Sequence, residues 1–104
     1  MKRGEVWWAD LPQPVGTRPV LLLSRDEGIR VRANVTVAPV TTRARGIPTE
    51  VPLGPDDGLP KPGAADLDSL QTVRKALLRE PIATLSAARM ADVEQAIRFA
   101  LAMR

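Results

Sequence analysis

Pro19-Val20-Leu21-Leu22-Leu23-Ser24 is a short, unbroken apolar run of the length expected for a buried strand. Upstream, residues 10–19 contain three Pro and one Gly and read as a loop. Before that loop, Arg3-Gly4-Glu5-Val6-Trp7-Trp8-Ala9 reads as a first strand. Alternation puts Val6 and Trp8 on one face and Glu5 and Trp7 on the other. Downstream, Arg25–Arg32 reads as a polar turn around Gly28, Ala33–Val40 as a third strand rich in β-branched residues, and Pro48–Leu53 as a fourth. Gly54–Gly63 packs three Gly, three Pro and two Asp into ten residues and is expected to be a loop. Ala64–Leu70 suits a fifth strand with Asp66 and Asp68 on the same side, residues 73–78 suit one or two helical turns, and Pro81–Leu85 is a short extended piece.

A C-terminal helix ends the chain. Ser86 is placed as its N-cap, with Leu85 and Met90 as a hydrophobic staple. Met90, Val93, Ile97 and Leu101 fall on one face at helical spacing, and six alanines between 87 and 102 favour the helix. Phe99 and Met103 lie on roughly the opposite face, where either a second subunit or a loop would cover them. The elements add up to an α+β fold: a small barrel of about five to seven short strands, a short helix, and the C-terminal helix. The 104 residues suit one domain, 1–104.

Composition excludes several chemistries. The chain has no Cys and no His, which removes disulfides, thiolate zinc sites, imidazole ligands and Ser-His or Cys-His triads. A metal would have to sit on carboxylates, and Asp66-x-Asp68 alone is a weak site; the expectation is no metal and no cofactor. No apolar stretch approaches the ~20 residues of a membrane span. The cationic start Met1-Lys2-Arg3 is followed by no apolar signal region. A soluble, cytoplasmic protein with no membrane partner is expected.

The net charge of +3 lies wholly in the first half, where residues 1–50 carry eight Lys/Arg against five Asp/Glu. Between Arg18 and Arg45 there are six Arg (18, 25, 30, 32, 43 and 45) against Asp26 and Glu27. Such a cluster is either a solvated surface or a phosphate-tracking face, for which the planar guanidinium fork is suited. RNA strand cleavage asks little of a protein, because the ribose 2′-OH is a built-in nucleophile beside the scissile phosphate. An Arg and a hydroxyl aimed at that phosphate supply much of what is needed. Arg18, where the Pro/Gly loop meets a strand, and Thr41 and Thr42, at the end of the third strand, are placed for such roles. Equally, Arg18 suits a surface ion pair and the threonines suit ordinary strand ends.

Four segments carry a resemblance: Arg3–Leu11, Arg18–Ser24, Val37-Ala38-Pro39-Val40-Thr41-Thr42 and Leu67-Asp68-Ser69-Leu70-Gln71-Thr72-Val73. Together, and in this order, they resemble the MazF/PemK/Kid toxins of bacterial toxin–antitoxin modules. Ile82–Ser86 with Met90 and Val93 is similar to the family's closing segment.

The resemblance implies a homodimeric SH3-like β-barrel. Its activity would be metal-independent, sequence-selective endoribonuclease cleavage of single-stranded RNA, leaving a 2′,3′-cyclic phosphate and a 5′-hydroxyl. The implied partners are the RNA, a MazE-like antitoxin and, with the antitoxin, DNA. The family's catalytic Arg falls on Arg18 and its catalytic Thr on Thr41. Its substrate-contacting positions fall on Asp68, Ser69 and Gln71, and Thr17, Thr42, Arg43 and Trp8 are the further RNA-binding candidates. No residue is assigned as general base. The stretch before Arg18 lacks the Glu-Gln-Gly-Gly run of many members, and Gln71 stands where many have Arg. Strict alternation sets Thr41 on the Val35/Val37 face, so either a bulge at Pro39 turns it outward or the register differs. The rival reading is a non-enzymatic toxin of the CcdB type that binds gyrase, or a plain nucleic-acid-binding barrel. The Trp-Gly-Ile terminus of the CcdB type is absent.

Overall fold

The computed structural model describes residues 1–104. Its strands are β1 (Glu5–Leu11), β2 (Gly16–Leu22), β3 (Asn34–Thr41), β4 (Glu50–Leu53), β5 (Gly63–Asp66), β6 (Gln71–Arg74) and β7 (Leu78–Thr84). The helices are α1 (Asp26–Val31) and α2 (Ala87–Ala100). All strand pairings are antiparallel, in the order β4-β5-β3-β2-β1-β7, with β6 also on β3. The expected α+β fold with a C-terminal helix forms, but the pairing does not close into a ring and leaves β4, β6 and β7 each paired on one side only.

The apolar run that opens β2 into the core is explained by burial on both faces. Leu21 and Leu23 join Val6, Ala38 and Val40 in a cluster that Val93 and Ala96 of α2 complete. Val20 and Leu22 turn the other way, onto Ala9, Leu11, Val35, Val37 and Ile29 of α1. β3 is the hub of the sheet. It pairs with β2 through Val37–Pro39, and with β6 through Asn34–Val37 and then β5 through Val40–Thr41.

Several expectations need correction. The loop read over 10–19 shrinks to Pro12–Val15, because β1 runs on to Leu11 and β2 starts at Gly16. The polar turn over 25–32 is α1, held by buried Ile29, with Asp26 and Glu27 favourably placed in its first turn. Residues 73–78 do not form the short helix. Val73 is buried opposite Val35 in β6, and a 3₁₀ turn at Lys75–Leu77, whose Lys75 N–H donates to the Ala33 carbonyl, leads into β7. The fifth strand ends at Asp66, whose carboxylate accepts the Asp68 N–H and starts a 3₁₀ turn over Leu67–Ser69. The fourth strand is confined to Glu50–Leu53.

In α2, Ser86 caps as expected, its Oγ accepting the Arg89 N–H at 3.1 Å. Val93 is buried with Met90 and Ile97 beside it, but Leu101 is exposed and Ala96 takes the core position. Phe99 and Met103 are exposed as well. No helix is long and apolar enough to cross a membrane.

Candidate active site

The β2–β3 pairing sets Val20 opposite Pro39 and Leu22 opposite Val37. That pairing ends at Val20 and Pro39; Arg18 and Thr41 each lie two residues beyond it along their own strands. Both side chains share the face of Val20 and Val37. Where Val20 and Val37 are fully buried, Thr41 is half-buried and Arg18 exposed, because this face runs past the end of its core. Alternation therefore placed Thr41 correctly. No bulge interrupts the β2–β3 register, and the same face that is core at Val37 is a site wall at Thr41.

Arg18 and Thr41 line a cleft of about 540 Å³. Strand ends and the β1–β2 turn supply Trp8, Leu11, Val15, Thr17, Pro19, Pro39 and Val40; Thr42 and Arg43 follow from β3, and Gln71 opens β6. The remaining wall is Leu59-Pro60-Lys61-Pro62-Gly63, the end of the β4–β5 connection. Of the sequence-predicted residues, Arg18, Thr41, Thr17, Thr42, Arg43, Gln71 and Trp8 thus come together. Asp68 and Ser69 do not. They sit on the exposed 3₁₀ turn, Asp68 accepting the Thr49 hydroxyl at 2.6 Å and Ser69 donating to Asp66 at 2.8 Å.

The cleft is lined by three cations, Arg18, Arg43 and Lys61, and by no Asp or Glu. None of the three forms an ion pair, whereas Arg45, Arg30, Arg79 and Arg89 all do. Of the six-Arg cluster only Arg18 and Arg43 reach the cleft. Arg45 is committed to Glu50 at 2.8 Å and Asp66 at 3.7 Å. The backbone N–H of Arg45 and then its guanidinium hold the Glu50 carboxyl below its ordinary range, and Glu50 raises Arg45 in return. An acid-free pocket with uncompensated guanidinium and ammonium groups attracts a polyanion.

Local bonding prepares Thr41 as a donor. Its hydroxyl oxygen accepts the Arg43 N–H at 3.0 Å, which fixes the oxygen and leaves the O–H proton to give away. Gly63 crosses directly behind it, and a β-carbon there would overlap the Thr41 carbonyl oxygen. Lys61 is the charged cleft residue, and Gly63 the glycine, that sequence reading missed. The only signal was a lysine between two prolines inside what read as a plain loop.

No group of three or more carboxylates gathers anywhere in the chain. Asp57, from the acidic pair of the β4–β5 connection, is engaged by Arg89 at 2.9 Å and by the Gly54 N–H at 3.0 Å.

The chain has relatives among known proteins. The probable endoribonuclease MazF5 of Mycobacterium tuberculosis is 40% identical over 100 residues, 95% of this chain and 91% of that protein. Among solved structures, the Mycobacterium tuberculosis toxin MazF-mt6 superposes with a TM-score of 0.88 at 35% identity, covering 96% of this chain and 98% of that one. An endoribonuclease in complex with its cognate antitoxin, from a mycobacterial species, superposes at 0.90 with 32% identity, covering 100% and 97%. Residues 2–101 match the family described as the PemK-like, MazF-like toxin of type II toxin–antitoxin systems. With fold, order of segments and near-complete coverage agreeing, the chain belongs to that toxin family.

Proposed function

We propose that this chain is the endoribonuclease toxin of a toxin–antitoxin pair, cleaving single-stranded RNA without a metal ion. The observation that carries the reading is the acid-free cleft that Arg18 and Thr41 line together. The 2′-oxygen attacks the adjacent phosphorus, the bond to the 5′-oxygen breaks, and the products are a 2′,3′-cyclic phosphate and a 5′-hydroxyl. Arg18 stabilises the charge that builds on the phosphorane and gives a guanidinium proton to the leaving 5′-oxygen, taking one back from water afterwards. Thr41 donates a hydrogen bond from its hydroxyl to a non-bridging phosphate oxygen. No carboxylate or imidazole lines the cleft, so the 2′-OH proton leaves to water. Trp8, half-buried on the cleft wall, offers a ring face to a base, and Thr17, Thr42, Arg43 and Gln71 contact the strand around it.

The protein acts in the cytoplasm as a homodimer through the exposed end of α2. A MazE-like antitoxin, an acidic chain, inhibits it by competing with RNA for the cationic cleft. The endoribonuclease solved with its cognate antitoxin supports that partner.

The test is cleavage of a single-stranded RNA in excess EDTA, with the ends identified. Cutting persists, cyclic phosphate ends appear, and a deoxyribose placed 5′ of the scissile bond abolishes cleavage. Efficient cutting of that deoxy substrate, or dependence on a divalent ion, overturns the mechanism.

A further inference from the structure

We propose that Lys61 is a substrate-binding contact that holds the phosphate next to the scissile one. This rests on the ribonuclease reading of the cleft. Lys61 lines the same cleft as Arg18 and Arg43 from a separate segment of chain, is exposed, and has no carboxylate partner.

Its backbone is held at both ends. Leu59, two residues before, is buried in the α2-side core, and its N–H donates to the Gly54 carbonyl at 3.2 Å. Gly63, two residues after, is locked against the Thr41 carbonyl. Pro60 and Pro62 flank the lysine and fix φ on either side. A surface lysine on a floppy loop would lose much of its freedom on binding a phosphate. Here the backbone contribution to that cost is already met by the fold. The anchorage at Gly63 also ties the Lys61 segment to the strand end that carries Thr41, so the two contacts keep a constant separation.

A lysine is a point charge without a fork, and phosphate contacts of this kind position a strand rather than read its bases. Lys61→Gln therefore weakens binding and raises KM, while the rate at saturating RNA stays at the wild-type level. The decisive measurement is the affinity for an RNA with deoxyribose at the cleavage position, across a salt series. One lost phosphate contact reduces the slope of log K against log salt by about 0.7 for a single strand. Arg32→Gln is the control: Arg32 is exposed at the end of α1 and outside the cleft, and its loss leaves the slope unchanged.

An unaltered slope and affinity in Lys61→Gln overturns the assignment while wild-type cleavage keeps the ribonuclease reading standing. An equal fall in the Arg32 variant also overturns it, since the effect is then general charge. A reduced rate at saturation with unchanged affinity moves Lys61 into the chemical step and overturns it too. A wild-type chain that binds RNA without cutting it sinks the ribonuclease reading while the slope still decides Lys61; one that binds no RNA sinks both.

Discussion

The Glu50 carboxylate, with only 2% of its side chain exposed, takes two hydrogen bonds from Arg45: the backbone N–H to Oε1 at 2.7 Å and Nε–H to Oε2 at 2.8 Å. One buried acid thereby ties down the stretch that leaves Thr41 and carries Arg43. Glu50→Gln keeps the shape but loses the charge, and is expected to cost about 1–2 kcal/mol. For a domain of this size that lowers Tm by about 4–8 °C per kcal/mol, which a thermal melt measures.

Glu50 also shapes the acid limit of stability. Its carboxyl is held low by Arg45. At Asp57 burial pushes upward, but the Arg89 guanidinium and the Gly54 N–H outweigh it and the net shift is down. Carboxyls depressed in the folded state add stability above their unfolded values, which is lost as pH falls through the folded ones. Stability is therefore expected to hold down to about pH 4 and to decline below it. In Glu50→Gln the decline is shallower, as urea unfolding at a series of pH values will show; an identical acid slope would remove Glu50 from the account.

Arg18→Lys is expected to melt like wild type, since Arg18 is exposed and makes no ion pair. Lysine keeps the charge that attracts RNA but not the two-pronged donor geometry. Single-turnover cleavage should fall roughly 10²–10³-fold while the salt dependence of binding is retained. A wild-type rate would show that the reacting phosphate lies elsewhere.

Gly63→Ala forces the end of β3 away from β5, because the new methyl meets backbone and not a flexible side chain. Overpacking of this kind costs about 1–3 kcal/mol. The shift falls on Thr41, so cleavage at a temperature where the variant remains folded should drop more than RNA affinity does. Unchanged turnover beside a lowered Tm would confine Gly63 to stability.

Phe99, Leu101 and Met103 remain exposed at the end of α2. A dimer at micromolar concentration is expected by light scattering, and Phe99→Asp should shift it to monomer without unfolding it. A monomeric wild-type mass would count against the dimer.

How legible the molecule was in its sequence varied with the range of the forces involved. Local signals worked: the Ser86 cap, the doubly buried Val20–Leu23 run and the Thr41 alternation all read directly from neighbouring residues. Arg18 and Thr41 were paired through family resemblance, and the fold brings both to one cleft. What failed was non-local. Val73 suits a helix by itself and becomes strand because Val35 lies opposite, and Ile29 pulls a polar stretch into α1. Asp68 lies outside the cleft, and Thr49, nineteen residues away, donates to one of its carboxylate oxygens, a contact its own segment does not announce. Lys61 went unseen because nothing within its own loop shows that Gly63 will meet Thr41.

The first strand of this protein has β7 as its outer neighbour, Glu5 opposite Thr84 and Ala9 opposite Leu78. A ribosome producing the chain emits every cleft residue by Gln71, before the strand that covers β1 and before the helix that caps its core. An interrupted translation product ending there holds Arg18, Thr41 and Lys61 without the frame that aligns them. Such a fragment leaves β1 with an open edge and Val6 without the Val93 layer. A product cut off at Gln71 is therefore expected to lose the β1 edge pairing and the α2 core layer together.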